Sequence, residues 1–206
     1  MKSVPTIDEL KARAKKYNSV PHWFGLGFVQ LKLSDTERMH FWVPEIPRRE
    51  REEIHNHRYD FVSSVLAGTL KHDIYHLDAT VDPKADVRII DGCEYEIFET
   101  NCAPTAEGTI ETVTPCIVTH VGTFTLEAGS SYALPHETFH TTEDTRFAIT
   151  SLTRVLPKPI EFASVIKKRG AETTCPFKDK MDPDVCWEHI YNGLVRAGLE
   201  SRRIRG

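Results

Sequence analysis

The sequence predicts an all-β core with a short helix at each end, and three observations carry that expectation. Between about residues 25 and 156 the chain runs in short β-branched and aromatic stretches, "GLGFVQLKL", "VGTFTLEAGSSYALP" and "RFAITSLTRVL", separated by Gly, Pro, Asp and Asn. Ahead of this region "TIDELKARAKKY", and behind it "MDPDVCWEHIYNGLVRAGLE", place their apolar residues at helical spacing. At 206 residues and 23.5 kDa the chain is long enough for one well-buried domain, 1–206, and short for two.

The first helix is expected over 6–18. Thr6 stands three residues before Glu9, a capping box, and Ile7, Leu10, Ala14 and Tyr17 share one side. The second is expected over 183–200, with Asp182 as N-cap, Pro183 in the first turn, and Ile190, Leu194 and Val195 turned toward the core. Between residues 79 and 110, turn signals at Asp82-Pro83, Asp91-Gly92 and Ala103-Pro104 predict a long hairpin or an insertion.

Composition narrows the function. A net charge of -4 and a pI near 6.2 supply no electrostatic footprint for nucleic acid. The arginines of "PRREREEI", Arg48, Arg49 and Arg51, alternate with glutamates and read as a solvated face. The basic tail "ESRRIRG" is too brief to serve as a phosphate track. No apolar run suits a membrane span and no hydrophobic signal core opens the chain, so a cytoplasmic protein is expected. The five cysteines (93, 102, 116, 175 and 186) contain no C-x-x-C, which fits a reducing compartment.

The stretch "EIHNHRYDFVSSVLAGTLKHDIY" carries the chemistry. Ten histidines in 206 residues produce roughly half an H-x-H by chance, so His55 and His57 need support from elsewhere. In a regular strand, residues two apart share a face, which would turn His55, His57, Tyr59, Phe61, Ser63 and Val65 inward and Asp60 outward. A third imidazole from a distant strand would complete a facial set of three nitrogens, leaving positions for water, oxygen or substrate. His140, in "GSSYALPHETFH", is the candidate.

Gly129, Pro135 and His140 stand at G-x5-P-x4-H, which resembles the second motif of the cupin superfamily, G-x5-P-x-G-x2-H, with Glu137 in the place of the internal glycine. The first cupin motif, G-x5-H-x-H-x3,4-E-x6-G, is matched by His55, His57 and Gly68; its leading glycine is absent and its glutamate slot falls on Phe61 or Val62. The resemblance implies a jelly-roll β-barrel binding one divalent transition metal through His55, His57 and His140. A set without the glutamate resembles the thiol dioxygenase branch, which implies Fe(II) and molecular oxygen, with Ni, Zn or Mn as alternative metals. Where the cysteine dioxygenases carry Ser-x-His-x-Tyr, this chain reads "SLTRVL", without His or Tyr.

Other residues are assigned more bluntly. His136 is a partner behind the ligands or an exposed turn residue, and Asp60 and Glu137 are alternative ligands or solvated groups. His72 and His76 read as surface histidines. Tyr59, Phe61, Tyr132 and Phe139 read as packing, the first three along the pocket, and Arg38, more than Lys32, has the fork to hold a substrate carboxylate. The expected function is a mononuclear non-haem iron dioxygenase of a small thiol or other small polar molecule. Two rivals stand beside it: a metal-dependent sugar-phosphate isomerase or epimerase using His136 and Glu137, and a non-catalytic ligand-binding cupin. Neither nucleic acid nor membrane is an expected partner, and a homodimer is left open.

Overall fold

The computed structural model describes residues 4–49, 52–82, 92–100, 113–142, 144–155, 162–171 and 180–198, together with 84, 86 and 88. Its architecture is the mainly β one expected: a large antiparallel sheet with two short helices, of the β-sandwich or jelly-roll kind. The strands are β1 (His22–Phe24), β2 (Phe28–Lys32), β3 (Glu37–Trp42), β4 (Ile54–His55), β5 (Phe61–Thr80), β6 (Tyr95–Thr100), β7 (Thr114–Glu127), β8 (Ser131–Leu134), β9 (Phe139–Thr141), β10 (Phe147–Arg154) and β11 (Ala163–Lys168).

Helices α1 (Ile7–Lys16) and α2 (Pro183–Arg196) sit where the sequence placed them. Thr6 and Glu9 close the capping box, each accepting from the other's backbone N–H, and the Asp182 side chain accepts from the Asp184 N–H. Leu10 and Ala14 of α1 and Cys186, Ile190 and Leu194 of α2 bury against Val29, Leu31, Met39, Phe41 and Ile149. Each such Leu, Ile or Phe contributes roughly 1.5–3 kcal/mol relative to its exposed state, so this layer anchors both chain ends to one face of the sheet. None of the described helices is long and apolar enough to cross a membrane. Cys93 is buried, and Cys116 and Cys186 are buried free thiols.

Because side chains alternate across a strand, β3 turns Met39 and Phe41 toward the helices and Arg38, His40 and Trp42 toward the opposite face. The register continues that inner row: Gln30 and Thr150 flank His40, and Lys32 and Leu152 flank Arg38.

β5 is the spine. One edge pairs with β10 over Phe61–Thr69 and then with β9 over Asp73–Tyr75; the other pairs with β8 and then β7. From β7 the ladder passes through β6, β11 and β4 to β9, and the β9–β5 pairing returns it to β5. β6 is therefore a strand of the sheet that pairs antiparallel with β7, the next strand in the chain, as a long hairpin would; Pro83, Asp91 and the Ala103-Pro104 turn lie outside the described residues.

Phe61, Ser63 and Val65 face inward as expected, but the register against β10 slips at Ile149/Thr150, leaving Leu66 as an extra residue. Two residues later Gly68 adopts φ +71°, with its backbone against Phe147. The inward set then becomes Leu70 and His72. An alanine Cβ at 68 would stand 2.2 Å from the Phe147 carbonyl oxygen in a conformation that L-residues adopt at a cost. Gly68→Ala is expected to destabilise the fold by at least ~2 kcal/mol in denaturant unfolding; a midpoint equal to wild type would contradict this reading of the bulge.

Candidate metal centre

β4, β9 and β5 lie side by side, and their register assembles the centre. His55 pairs directly with His140, and His140 pairs with Ile74, two residues beyond His72. β4 ends at His55, so His57 reaches the site from the following loop rather than from a continuous strand, a correction to the unbroken alternation expected over 55–65. That loop is pinned: Asn56 N–H donates to the Ser164 carbonyl, and the Ser164 N–H donates to Asn56 Oδ1 at 2.6 Å. The residue between the two histidines thus acts as a strut to β11.

His55, His57 and His140 each offer one ring nitrogen, and these atoms all lie within 4.8 Å of one another. The ring centroids are 4.6 to 5.2 Å apart. His55 Nδ1–H donates to the Glu53 carbonyl at 3.0 Å, and His140 Nδ1–H to the Thr138 carbonyl at 3.3 Å. A proton held on Nδ1 leaves the Nε2 lone pair free, the tautomer that a ligating imidazole needs. Burial pushes His57 and His140 well below the ordinary histidine value, and the neighbouring histidines reinforce the shift, so protons compete weakly for these nitrogens. The three residues fit a transition-metal ion, and no carboxylate belongs to the group.

Each carboxylate near the three rings has another partner, although Glu52 Oε1 also stands 4.0 Å from His55 Nδ1. Asp60 Oδ1 accepts from both the His136 backbone N–H and Nδ1–H, each at 2.7 Å, so Asp60 and His136 form a turn-locking pair outside the donor set. Glu137 is mostly exposed and lies 3.9 Å from His136 Nε2. The His136 carbonyl accepts from the His57 N–H at 3.4 Å, which gives this pair a supporting contact to the loop. Glu52, one of the glutamates read as solvated, is buried and accepts from the Thr142 N–H at 2.6 Å and from its hydroxyl. It ties the entry to β4 against the end of β9, and so holds His55 and His140 together.

The walls are aromatic. His57 stacks on Tyr59 at 5.6 Å and meets the edge of Phe61 at 5.1 Å, so the residue in the glutamate slot packs against a candidate ligand instead of adding one. Phe139 is buried with Ile54, Cys116 and Ile166, as packing.

His72 is the main correction. Expected at the surface, it is 4% exposed, its ring lies 5.2 Å from that of His140, and its Nε2 shares a 2.9 Å hydrogen bond with the Tyr132 hydroxyl. Its Nδ1 is buried without a hydrogen-bond partner among the described residues. Burial lowers His72 to about 4 and raises Tyr132 to about 12. The slip at Leu66 moves even-numbered residues inward, which counting by twos from His57 misses. His76, by contrast, is exposed as expected.

Two further residues escaped the sequence reading. His40, bonded to Gln30 at 3.0 Å and Thr150 at 3.3 Å, is held near 3 by burial and then by Arg38. Arg154 places its guanidinium carbon 4.1 Å from the centroid of the Tyr59 ring, and Arg38 does so at 5.1 Å. The alternation Arg38-x-His40-x-Trp42 was the available signal for His40; nothing local marks Arg154. No family model, curated protein or solved structure matches this chain.

Proposed function

We propose that this chain is a mononuclear metalloenzyme that binds a transition-metal ion, Fe(II) foremost, on His55, His57 and His140 and oxidises a small thiol or other small polar molecule with oxygen. The observation that supports it is three imidazole nitrogens within 4.8 Å of one another, two of them on rings whose Nδ1 is tied to a backbone carbonyl, with no carboxylate in the group. An ion bound there would act as a template and Lewis acid for substrate and oxygen. Neutral ligands leave its charge to be met by an anionic donor on the substrate, which favours a thiolate over an alcohol.

The protein's own part is orientation and dryness. Glu53 and Thr138 fix the ring tautomers, Phe61 and Tyr59 keep water from one side of His57, and the His72–Tyr132 pair offers a proton-bearing group beside His140. That pair also supports the second reading, an isomerase or epimerase, in place of the exposed Glu137 and the Asp60-bound His136. The two part on oxygen. The iron-reconstituted protein is expected to consume oxygen with at least one of cysteine, cysteamine, mercaptopropionate or a cysteine-terminated peptide, and His57→Ala to abolish it. Inertness toward that whole panel, with isomerisation of a sugar phosphate in its absence, would replace the oxygenase by the isomerase.

A further inference from the structure

We propose that Arg38 and Arg154, with Lys32 at the rim, clamp the oxyanion end of a small-molecule substrate whose other end reaches the three imidazoles. The inference rests on the metalloenzyme reading for what happens at that other end, and on separate residues for the clamp itself.

Arg38 lies on the inner row of β3 and Arg154 at the end of β10, opposite Phe61. Their guanidinium carbons stand 5.1 and 4.1 Å from the centroid of one ring, Tyr59, and that ring stacks at 5.6 Å on His57. The two cations are thus held next to a candidate metal ligand by a shared aromatic wall. Lys32 faces Arg38 directly across the β2–β3 ladder, an arrangement of like charges that costs stability unless something offsets it.

Within the described residues the offset is small, a side-chain hydrogen bond between Arg38 and Tyr59. Among the described residues no carboxylate pairs with Arg38, Arg154 or Lys32. The carboxylates nearest in the chain are engaged elsewhere: Glu37 with Arg13 at 2.5 Å and Asp35 with the Tyr17 hydroxyl at 2.5 Å. Arg154 Nε is buried and lacks a hydrogen-bond partner among the described residues, a donor with its desolvation uncompensated. Burial and the neighbouring positive charges lower both Lys32 and Arg38, and Arg58 adds to the same field. A site that concentrates guanidinium groups with no carboxylate partner among the described residues, beside a reaction centre, fits an oxyanion, carboxylate or phosphate, since either meets the guanidinium fork with two oxygens.

The test is calorimetric titration of the full chain at low ionic strength, with succinate and inorganic phosphate as separate arms and neutral succinamide as the control. The protein is used after chelator treatment, and metal uptake is measured on a parallel sample. At least one oxyanion is expected to bind one per chain, to weaken with added salt, and to weaken about tenfold or more in Arg38→Gln and in Arg154→Gln. Arg38→Lys and Arg154→Lys, which keep the charge, are expected to fall between, and the exposed Arg196→Gln to match wild type. The arm that binds tells carboxylate from phosphate. Absence of binding in both arms by the folded wild type, equal binding of succinamide, or wild-type binding by the glutamine variants would overturn the clamp. Oxyanion binding by a protein that takes up no metal would leave the clamp standing and remove the metalloenzyme reading alone.

Discussion

Replacing His140 with alanine is expected to strip the metal from the protein, lowering affinity by more than ~100-fold, beyond what loss of an outer partner costs. The reason is geometric: the three ring centroids form a near-equilateral triangle with sides of 4.6, 5.0 and 5.2 Å, so the loss of His140 removes one corner of a three-donor set. His57→Ala should behave the same way. His72→Ala should retain metal, because His72 lies outside the donor group although its ring is only 5.2 Å from that of His140. Metal content of the three variants, each with a folded circular dichroism spectrum, separates ligands from neighbours. Wild-type metal content in His140→Ala would mean that the ion, if bound, is held elsewhere.

Acid should unfold the metal-free protein well above the range in which its carboxylates titrate. His40 sits at about 3 and His72 at about 4 in the fold, against 6.5 when free, and His57 and His140 are displaced in the same direction. Below pH 6.5 the unfolded chain takes up protons that the folded chain refuses. The stability of the fold is therefore fully present above 6.5 and falls as pH drops toward 4. At about 1.4 kcal/mol per pH unit for each group, His40 and His72 alone remove on the order of 5 kcal/mol by pH 4.5, comparable with the whole stability of many domains. Denaturant melts at pH 7, 5.5 and 4.5 should show this decline, and His40→Gln should flatten it. A midpoint constant across that range would show that these imidazoles take up protons in the fold as readily as in the unfolded chain.

What the sequence reveals and what it hides divide along a physical line. Features encoded locally were legible: the Thr6/Glu9 box and the Asp182-Pro183 start mark both helices, and G-x5-P-x4-H singles out His140 as partner to the H-x-H. Features that depend on cross-strand register were not. His72 was counted outward because one extra residue at Leu66 inverts the alternation of β5, and no property of "SVLAGTL" other than its glycine announces that slip. Glu52 looked solvated among arginines, yet Thr142, 90 residues away, makes it a buried brace. "SLTRVL" was read for the histidine and tyrosine that it lacks, while its arginine meets Tyr59 only because β10 pairs with the start of β5. The polar partner beside the ligands comes instead from His72 and Tyr132, on two other strands.

The most direct test of the three-histidine centre is elemental analysis of the full chain, purified without chelators and again after anaerobic reconstitution with ferrous iron. The account predicts about one transition-metal ion per chain, with magnesium and calcium excluded by a donor set that is all nitrogen. No bound transition metal under either condition would contradict it.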